Sequence, residues 1–126
     1  MNIGFIGTGT IATSVIEGLF RSKIKVKQIL ISERSKKNST ALSRKFKRVK
    51  VVNNNQEIID KSSWIFIAVV PKVAKSILQN LHFKKNQTII SFVSTANMTF
   101  LKKTLYPATN IIKAAPLPTI KHKLGP

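Results

Sequence analysis

The chain has 126 residues, 43% of them apolar, with 22 Lys and Arg against 4 Asp and Glu, for a formal net charge of +18. That length builds one domain with a real core, the absence of cysteine excludes a disulfide framework and a thiolate metal site, and no apolar run approaches the roughly 20 residues that span a bilayer. The charge suits a polyanion, but the basic residues are scattered through nearly every polar segment. The densest cluster, from Lys36 and Lys37 through Arg44, Lys45, Lys47, Arg48 and Lys50, contains one aromatic, Phe46, and no base-reading motif. The expectation is a solvated basic surface, with no specific nucleic-acid partner and no membrane partner. His82 and His122 have no ligating neighbours in sequence, so no metal site is expected. Gly7 and Gly9 interrupt the apolar start and no basic segment precedes it, unlike a secretory signal; a soluble, cytoplasmic protein is expected.

In chain order, strands alternate with helices. Asn2–Ile6 reads as a strand that breaks into Gly7-Thr8-Gly9-Thr10-Ile11-Ala12 and continues as a helix over Ile11–Ser22, with Val15, Ile16, Leu19 and Phe20 at helical spacing. This is the G-x-G-x-x-A spacing of a dinucleotide-binding turn, in the strand–turn–helix context that gives the motif weight. Gly7 turns the chain sharply, Gly9 lets a pyrophosphate approach the backbone, and Ala12 lets helix and strand pack closely. The free N–H groups and positive dipole end of the helix would face the phosphates.

Gln28–Ser32 is the second strand, Ser39–Phe46 a short helix and Val49–Val52 the third strand. Asn53-Asn54-Asn55 supplies a turn and a helix cap, followed by a helical turn through Ile58 and Ile59. The apolar run Trp64–Val69 suits a central parallel strand covered on both faces. Val73–Leu81 is a helix after Pro71, Thr88–Val93 a strand, Thr99–Leu105 a helix and Asn110–Ala114 the sixth strand. The pattern predicts an α/β fold, a doubly wound parallel sheet of Rossmann type with strand order 3-2-1-4-5-6. A dinucleotide would lie across the switch point between the first and fourth strands.

The ribose-reading position lies about 20 residues beyond the glycines, at Ser32-Glu33-Arg34-Ser35-Lys36-Lys37. Glu33 could accept hydrogen bonds from a ribose 2′-hydroxyl, which suits NAD. Arg34, Ser35 and Lys36 could hold a 2′-phosphate, with arginine offering a forked, charge-assisted contact. The cues conflict; the surrounding positive field favours NADP over NAD.

These residues also resemble a known family. Ile3-Gly-Phe-Ile-Gly-Thr-Gly-Thr-Ile-Ala12 with Ile16-Glu-Gly-Leu19 looks like the opening of pyrroline-5-carboxylate reductase. The similarity continues through Ser32-Glu-Arg-Ser35, Asn55-Gln-Glu57, Ile65-Phe-Ile-Ala-Val-Val-Pro71, Ile89-Ile-Ser91 and Ile112-Lys-Ala-Ala-Pro116. It covers almost the whole chain. The resemblance implies an NAD(P)-dependent oxidoreductase of proline biosynthesis, transferring hydride to the C=N bond of a cyclic imino acid. It further implies that Gly7, Thr8, Gly9, Thr10 and Ile11 cradle the pyrophosphate. Ser32, Arg34, Ser35 and Asn55 would surround the adenosine ribose and its phosphate, and Ala68, Val69 and Pro71 would line the nicotinamide ribose.

Three departures fall on the catalytic side. Val70 stands where the family usually has a lysine, Ala115-Pro-Leu-Pro-Thr119 replaces Met-Pro-Asn-Thr-Pro, and the turn after the fifth strand reads Val93-Ser-Thr-Ala-Asn97. No proton donor stands out; Ser94, Thr95, Tyr106 and Lys113 carry suitable groups near strand ends without any pattern that selects one. The resemblance also implies a following helical domain that makes the homo-oligomer and completes the imino-acid pocket. Residues 1–115 are therefore expected to form the dinucleotide-binding domain, with 116–126 a tail toward that second domain. The expected function is the cofactor-binding half of such a reductase, weakly active or inactive alone. A dinucleotide-sensing module without catalysis is the alternative, with a basic nucleic-acid binder third.

Overall fold

The computed structural model describes residues 1–32 and 36–114. Its elements are β1 (Asn2–Ile6), α1 (Thr10–Arg21), β2 (Gln28–Ser32), α2 (Lys36–Lys45), β3 (Val49–Val52), α3 (Asn55–Lys61), β4 (Trp64–Ile67), α4 (Pro71–Leu78), β5 (Thr88–Ser91), α5 (Met98–Thr104) and β6 (Asn110–Lys113). The strands form one sheet in the order β3-β2-β1-β4-β5-β6, and every pairing is parallel. The doubly wound sheet predicted from the strand–helix alternation is the fold observed.

The strands are short apolar runs because both faces of the sheet are covered, and the two-residue period decides which helix layer each side chain meets. Ile3 and Phe5 of β1, Phe66 of β4 and Ile90 of β5 share a core with Ala12, Val15 and Ile16 of α1 and Leu42 of α2. Ile6, Ile65, Ile67 and Ile89 turn to the other face, against Ala74 and Leu78 of α4 and Leu101 of α5. On the first face the rings of Phe5, Phe66 and Phe92 stack across the sheet, with centroids 4.7 and 5.9 Å apart.

On the second face β1 presents Gly4, and α3 settles onto the gap. A Cβ there would overlap Ile58 Cγ2 and lie 2.6 Å from Ser62 Oγ. The end of α3 is closed from below by Gln87, a buried amide whose Nε2 donates to the carbonyls of Ile59 (2.7 Å) and Ser62 (3.0 Å). These carbonyls lie at the C-terminal end of α3, where the helix leaves acceptors without helical donors; the Ile59 carbonyl also accepts from the amide of the C-cap Ser62 at 3.3 Å.

Element boundaries differ from the periodicity reading at polar positions. The second helix begins at Lys36 rather than Ser39, because its first turn carries no apolar residue to register. The fourth begins at Pro71 rather than Val73, since proline fits the first helical position, where its missing N–H is not needed. The fourth and fifth strands end two residues early, at Ile67 and Ser91, where the chain leaves the ladder for the loops that form the mouth of the sheet.

Candidate functional site

The site is built where the chain leaves β1 and β4 at the switch point. Gly7 has φ +103°, a conformation that side-chain-bearing residues avoid. Its missing Cβ is also a packing requirement, since one would overlap the Ala68 carbonyl oxygen and approach its carbon to 2.8 Å. Gly7 thus draws the loop after β1 against the loop after β4. The Ala68 amide donates to the Ile6 carbonyl at 2.8 Å, fixing the second loop in turn.

Gly9 serves a different purpose. It is the N-cap residue of α1 in extended conformation, φ −79° and ψ −161°, and no side chain caps the helix. A Cβ on Gly9 would meet nothing within 4 Å. The open space lies over the first-turn N–H groups of α1, which have no intrahelical partners, and no acidic residue occupies that turn. Oriented N–H groups with a positive dipole end suit an anion. Between the two loops is a cavity of about 240 Å³ lined by Gly7, Thr8, Gly9, Ala68, Val69 and the neighbouring valines 70 and 73. Thr8 is only 3% exposed, yet its Oγ1 has no hydrogen-bond partner. A buried hydroxyl left unpaired beside an open cavity is the kind of group a polar ligand satisfies.

The other expected site residues are placed as follows. Thr10 and Ile11 open α1. Ser32 is buried at the end of β2, paired in register with Val52. Glu33, Arg34 and Ser35 lie outside the described residues, and Lys36 is described as the first residue of α2. Asn55 is the first residue of α3, and its Oδ1 is buried without a partner. The cap belongs to Asn54, whose side chain accepts from the Glu57 amide at 2.9 Å. Ala68 and Val69 line the cavity, and Pro71 begins α4. Val70, where the resembled family has lysine, is 63% exposed at the rim. Of the hydroxyl and amine bearers considered as proton donors, Ser94 and Thr95 are exposed on the loop after β5, on the same edge of the sheet as the glycines. Tyr106 is on the loop before β6, at the opposite edge. The Leu117-Pro118 segment lies outside the described residues.

One contributor escaped the sequence reading. Asn38, in the first turn of α2, donates from Nδ2 to the Thr8 carbonyl at 2.7 Å. It ties the start of α2 to the glycine loop. The available signal was its residue type: asparagine is a poor helix former, more at home bonding to a backbone group than in a helix turn. A larger cleft, about 430 Å³, lies at the opposite edge of the sheet beside Lys27, Asp60 and Lys84. It has neither a glycine turn nor a helix N-terminus facing it, so size alone does not make it the dinucleotide site. Among the described residues no cluster of His, Asp or Glu could hold a metal ion, and no helix is long and apolar enough to cross a membrane.

Comparison with known proteins agrees with this geometry. Residues 2–95 match the family model described as NADP oxidoreductase, coenzyme F420-dependent. Pyrroline-5-carboxylate reductase 3 of Danio rerio is 31% identical over 119 residues, which cover 92% of this chain and 41% of that protein. The 1-pyrroline-5-carboxylate reductase of Streptococcus pyogenes superimposes with a TM-score of 0.76 at 25% identity, over 98% of this chain and 45% of that one. The Plasmodium falciparum pyrroline carboxylate reductase, solved with NADP bound, shares the fold with a TM-score of 0.80 at 22% identity, over 97% of this chain and 44% of its own. The chain thus spans less than half the length of these relatives.

Proposed function

The chain belongs to the NADP oxidoreductase, coenzyme F420-dependent family, and on that footing we propose that it is the NADP-binding part of a pyrroline-5-carboxylate reductase. The observation that carries this reading is the division of labour between the two glycines. Gly7 is needed by the fold, whereas Gly9 leaves open space over the free N–H groups of α1. A protein that needed only a turn would have no use for the second.

In this reading Thr8, Gly9, Thr10 and Ile11 hold the pyrophosphate through backbone N–H groups, and the orphaned Thr8 Oγ1 gains its partner there. Arg34, Ser35 and Lys36 take the 2′-phosphate, and Ser32, Glu33 and Asn55 border the adenosine ribose. Ala68, Val69 and Pro71 form an apolar floor that keeps water from the nicotinamide side. The reduced nicotinamide supplies a hydride for the carbon of a cyclic imine. What the chain contributes is position: the acceptor must be held against the ring and given a proton. Residues 1–115 are assigned to this cofactor-binding domain and 116–126 to a connection. The imino-acid pocket and the oligomer are assigned to the part of the relatives this chain does not span.

The test is a titration of the purified chain with NADPH and NADH at physiological salt, followed by nicotinamide fluorescence. Saturable binding with NADPH the tighter, and imine reduction near background for the chain alone, is the expected result. Tighter NADH would transfer the ribose assignment to Glu33, and no saturable binding of either would overturn the proposal.

A further inference from the structure

In a doubly wound parallel sheet every loop from helix to strand reaches one edge, and every loop from strand to helix reaches the other. The charges that look scattered in sequence are sorted by this rule. Of the five strand-to-helix connections at the glycine edge, 7–9, 53–54, 68–70 and 92–97 contain no Lys or Arg, and 33–35 contains Arg34 in its sequence. At the opposite edge, Lys23, Lys25 and Lys27 precede β2, Lys47 and Arg48 precede β3, and Lys84 with its neighbour at 85 precedes β5; all are exposed.

Hydrogen bonds join these loops into one surface. Arg48 Nη1 donates to the Val26 carbonyl at 3.1 Å. The Lys27 amide donates to Met1 (2.8 Å), that of Ser63 to Asn2 (3.1 Å) and that of Thr88 to Ser63 (3.0 Å). The row runs from β3 through β2, β1 and β4 to β5, about 19 Å at the usual strand spacing of about 4.8 Å.

Helix C-termini attract cations without any ligand, which accounts for Arg21, Lys45 and Lys61 in last turns, where Glu17 and Glu57 also pair with them. It does not account for Lys25, Lys27, Lys84 and Lys85, four or more residues past a helix end. Of these, Lys84 lies 3.9 Å from Asp60. The same edge also carries exposed rings: Trp64 at the start of β4, 37% exposed, and Tyr106 before β6, 76% exposed. A cationic row with aromatic faces beside it is the composition that binds single-stranded nucleic acid, phosphates along the lysines and bases on the rings.

We propose that the helix-to-strand edge of the sheet, opposite the dinucleotide site, binds single-stranded nucleic acid without sequence readout. A membrane surface fits less well. The exposed aliphatic side chains at this edge, Met1 and Ile24, are separate tips on different segments and make no continuous apolar face.

The chain has one tryptophan, and it sits at this edge, so intrinsic fluorescence reports the contact. The experiment titrates the full chain with a 20-nucleotide oligo(dT) and an unrelated mixed-sequence oligonucleotide between 25 and 200 mM salt. Expected are saturable Trp64 quenching, similar affinity for both, and a log–log salt slope of about −3.5 for about five phosphates. Lys25→Gln with Lys47→Gln should flatten the slope by about 1.4, and Tyr106→Ala should weaken binding at least about five-fold with the slope unchanged. A matched pair elsewhere, Lys75→Gln with Lys113→Gln, should change affinity less than about two-fold, and saturating NADPH should leave it equally unaffected, since the two sites are on opposite edges. Equal losses from both lysine pairs would reduce the effect to net charge and overturn the proposal, as would the absence of saturable quenching at 25 mM salt. Tighter binding to vesicles of equal phosphatidylserine and phosphatidylcholine than to either oligonucleotide would also overturn it, assigning the edge to lipid.

Discussion

Replacing Gly7 and Gly9 separately by alanine separates folding from binding. At Gly7 the new Cβ meets two penalties. The backbone is at φ +103°, which costs a non-glycine residue about 1–3 kcal/mol. The Cβ also overlaps the Ala68 carbonyl, a backbone group that cannot move away cheaply because the Ala68 amide is bonded to Ile6 at 2.8 Å; forced overpacking adds about 1–3 kcal/mol. Together these destabilise by about 2–6 kcal/mol. At about 4 °C per kcal/mol for a domain of this size, Tm falls by about 8–24 °C. At Gly9 the conformation is open to any residue and the Cβ meets nothing, so the cost is the poorer N-cap propensity of alanine, at most about 1 kcal/mol.

Ligand binding inverts the order for Gly9. Its Cβ projects into the space assigned to the pyrophosphate, and Gly9→Ala should weaken NADPH at least about ten-fold, about 1.4 kcal/mol, with Gly9→Val worse. The assay is thermal unfolding of each variant, then NADPH titration by fluorescence at a temperature where both are folded. A Gly7→Ala protein melting within about 3 °C of the parent would refute the strain argument. A Gly9→Ala protein with unchanged NADPH affinity would refute the assignment of the open space.

Three further outcomes are expected. Gly4→Ala pushes against Ile58 and Ser62 on the underside of α3 and should lower stability by about 1–3 kcal/mol in chemical denaturation, with no effect on NADPH affinity beyond unfolding; an unchanged midpoint would mean α3 can lift off β1 at no cost. Asn38→Ala removes the bond to the Thr8 carbonyl, worth about 1 kcal/mol. NADPH should weaken about three- to ten-fold while Tm falls by less than about 6 °C, and intact affinity would show that the glycine loop keeps its shape unaided. Glu57 is held below its ordinary 4.5 by the Lys61 ammonium first and the Asn53 amide second. Its contribution is therefore full above the unfolded-state value and disappears as pH falls through the lower folded value. Carboxyl titration by NMR should give a midpoint below 4.5 that Lys61→Met raises, and a midpoint indifferent to Lys61 would contradict the pairing.

The strand pattern was legible because a buried parallel strand has no polar face: Ile65, Phe66 and Ile67 announce themselves as a run, and the glycine turn fixes where β1 stops. Helix starts were less legible. Lys36-Lys37-Asn38 gives no apolar period, and what makes it helical is Leu42, four residues past Asn38, docking into the core with Ile29 and Ile31. The role of Asn38 was invisible for a related reason. Its partner is a carbonyl 30 residues earlier, and nothing in local spacing encodes which helix start comes to rest beside which loop.

The same distinction explains why the glycine cradle could be read from the chain while the opposite edge could not. A cradle is a local object: strand, turn and helix are contiguous, and the small residues at 7, 9 and 12 fall within six positions, although the clash that Gly7 avoids is with the distant Ala68. The basic edge is a topological object. Lys27 and Lys84 are 57 positions apart in the chain, and they share an edge because parallel crossovers return every helix to the strand start. Reading by segment, as composition invites, makes that charge look diffuse. Reading by edge shows that four of the five strand-to-helix connections, 7–9, 53–54, 68–70 and 92–97, are free of cations, the fifth carrying Arg34, while the loops before β2, β3 and β5 hold seven. A bias in composition alone supplies lysines but has no means of telling one end of a strand from the other, so the asymmetry requires a physical cause. Near the glycines, the helix N-terminus already supplies positive potential, and added lysines would repel it. Repulsion of this kind accounts for the cation-free loops beside the glycines. It does not explain Lys25, Lys27, Lys84 and Lys85, four or more positions past a helix end, which is why that edge is where a second ligand should be sought.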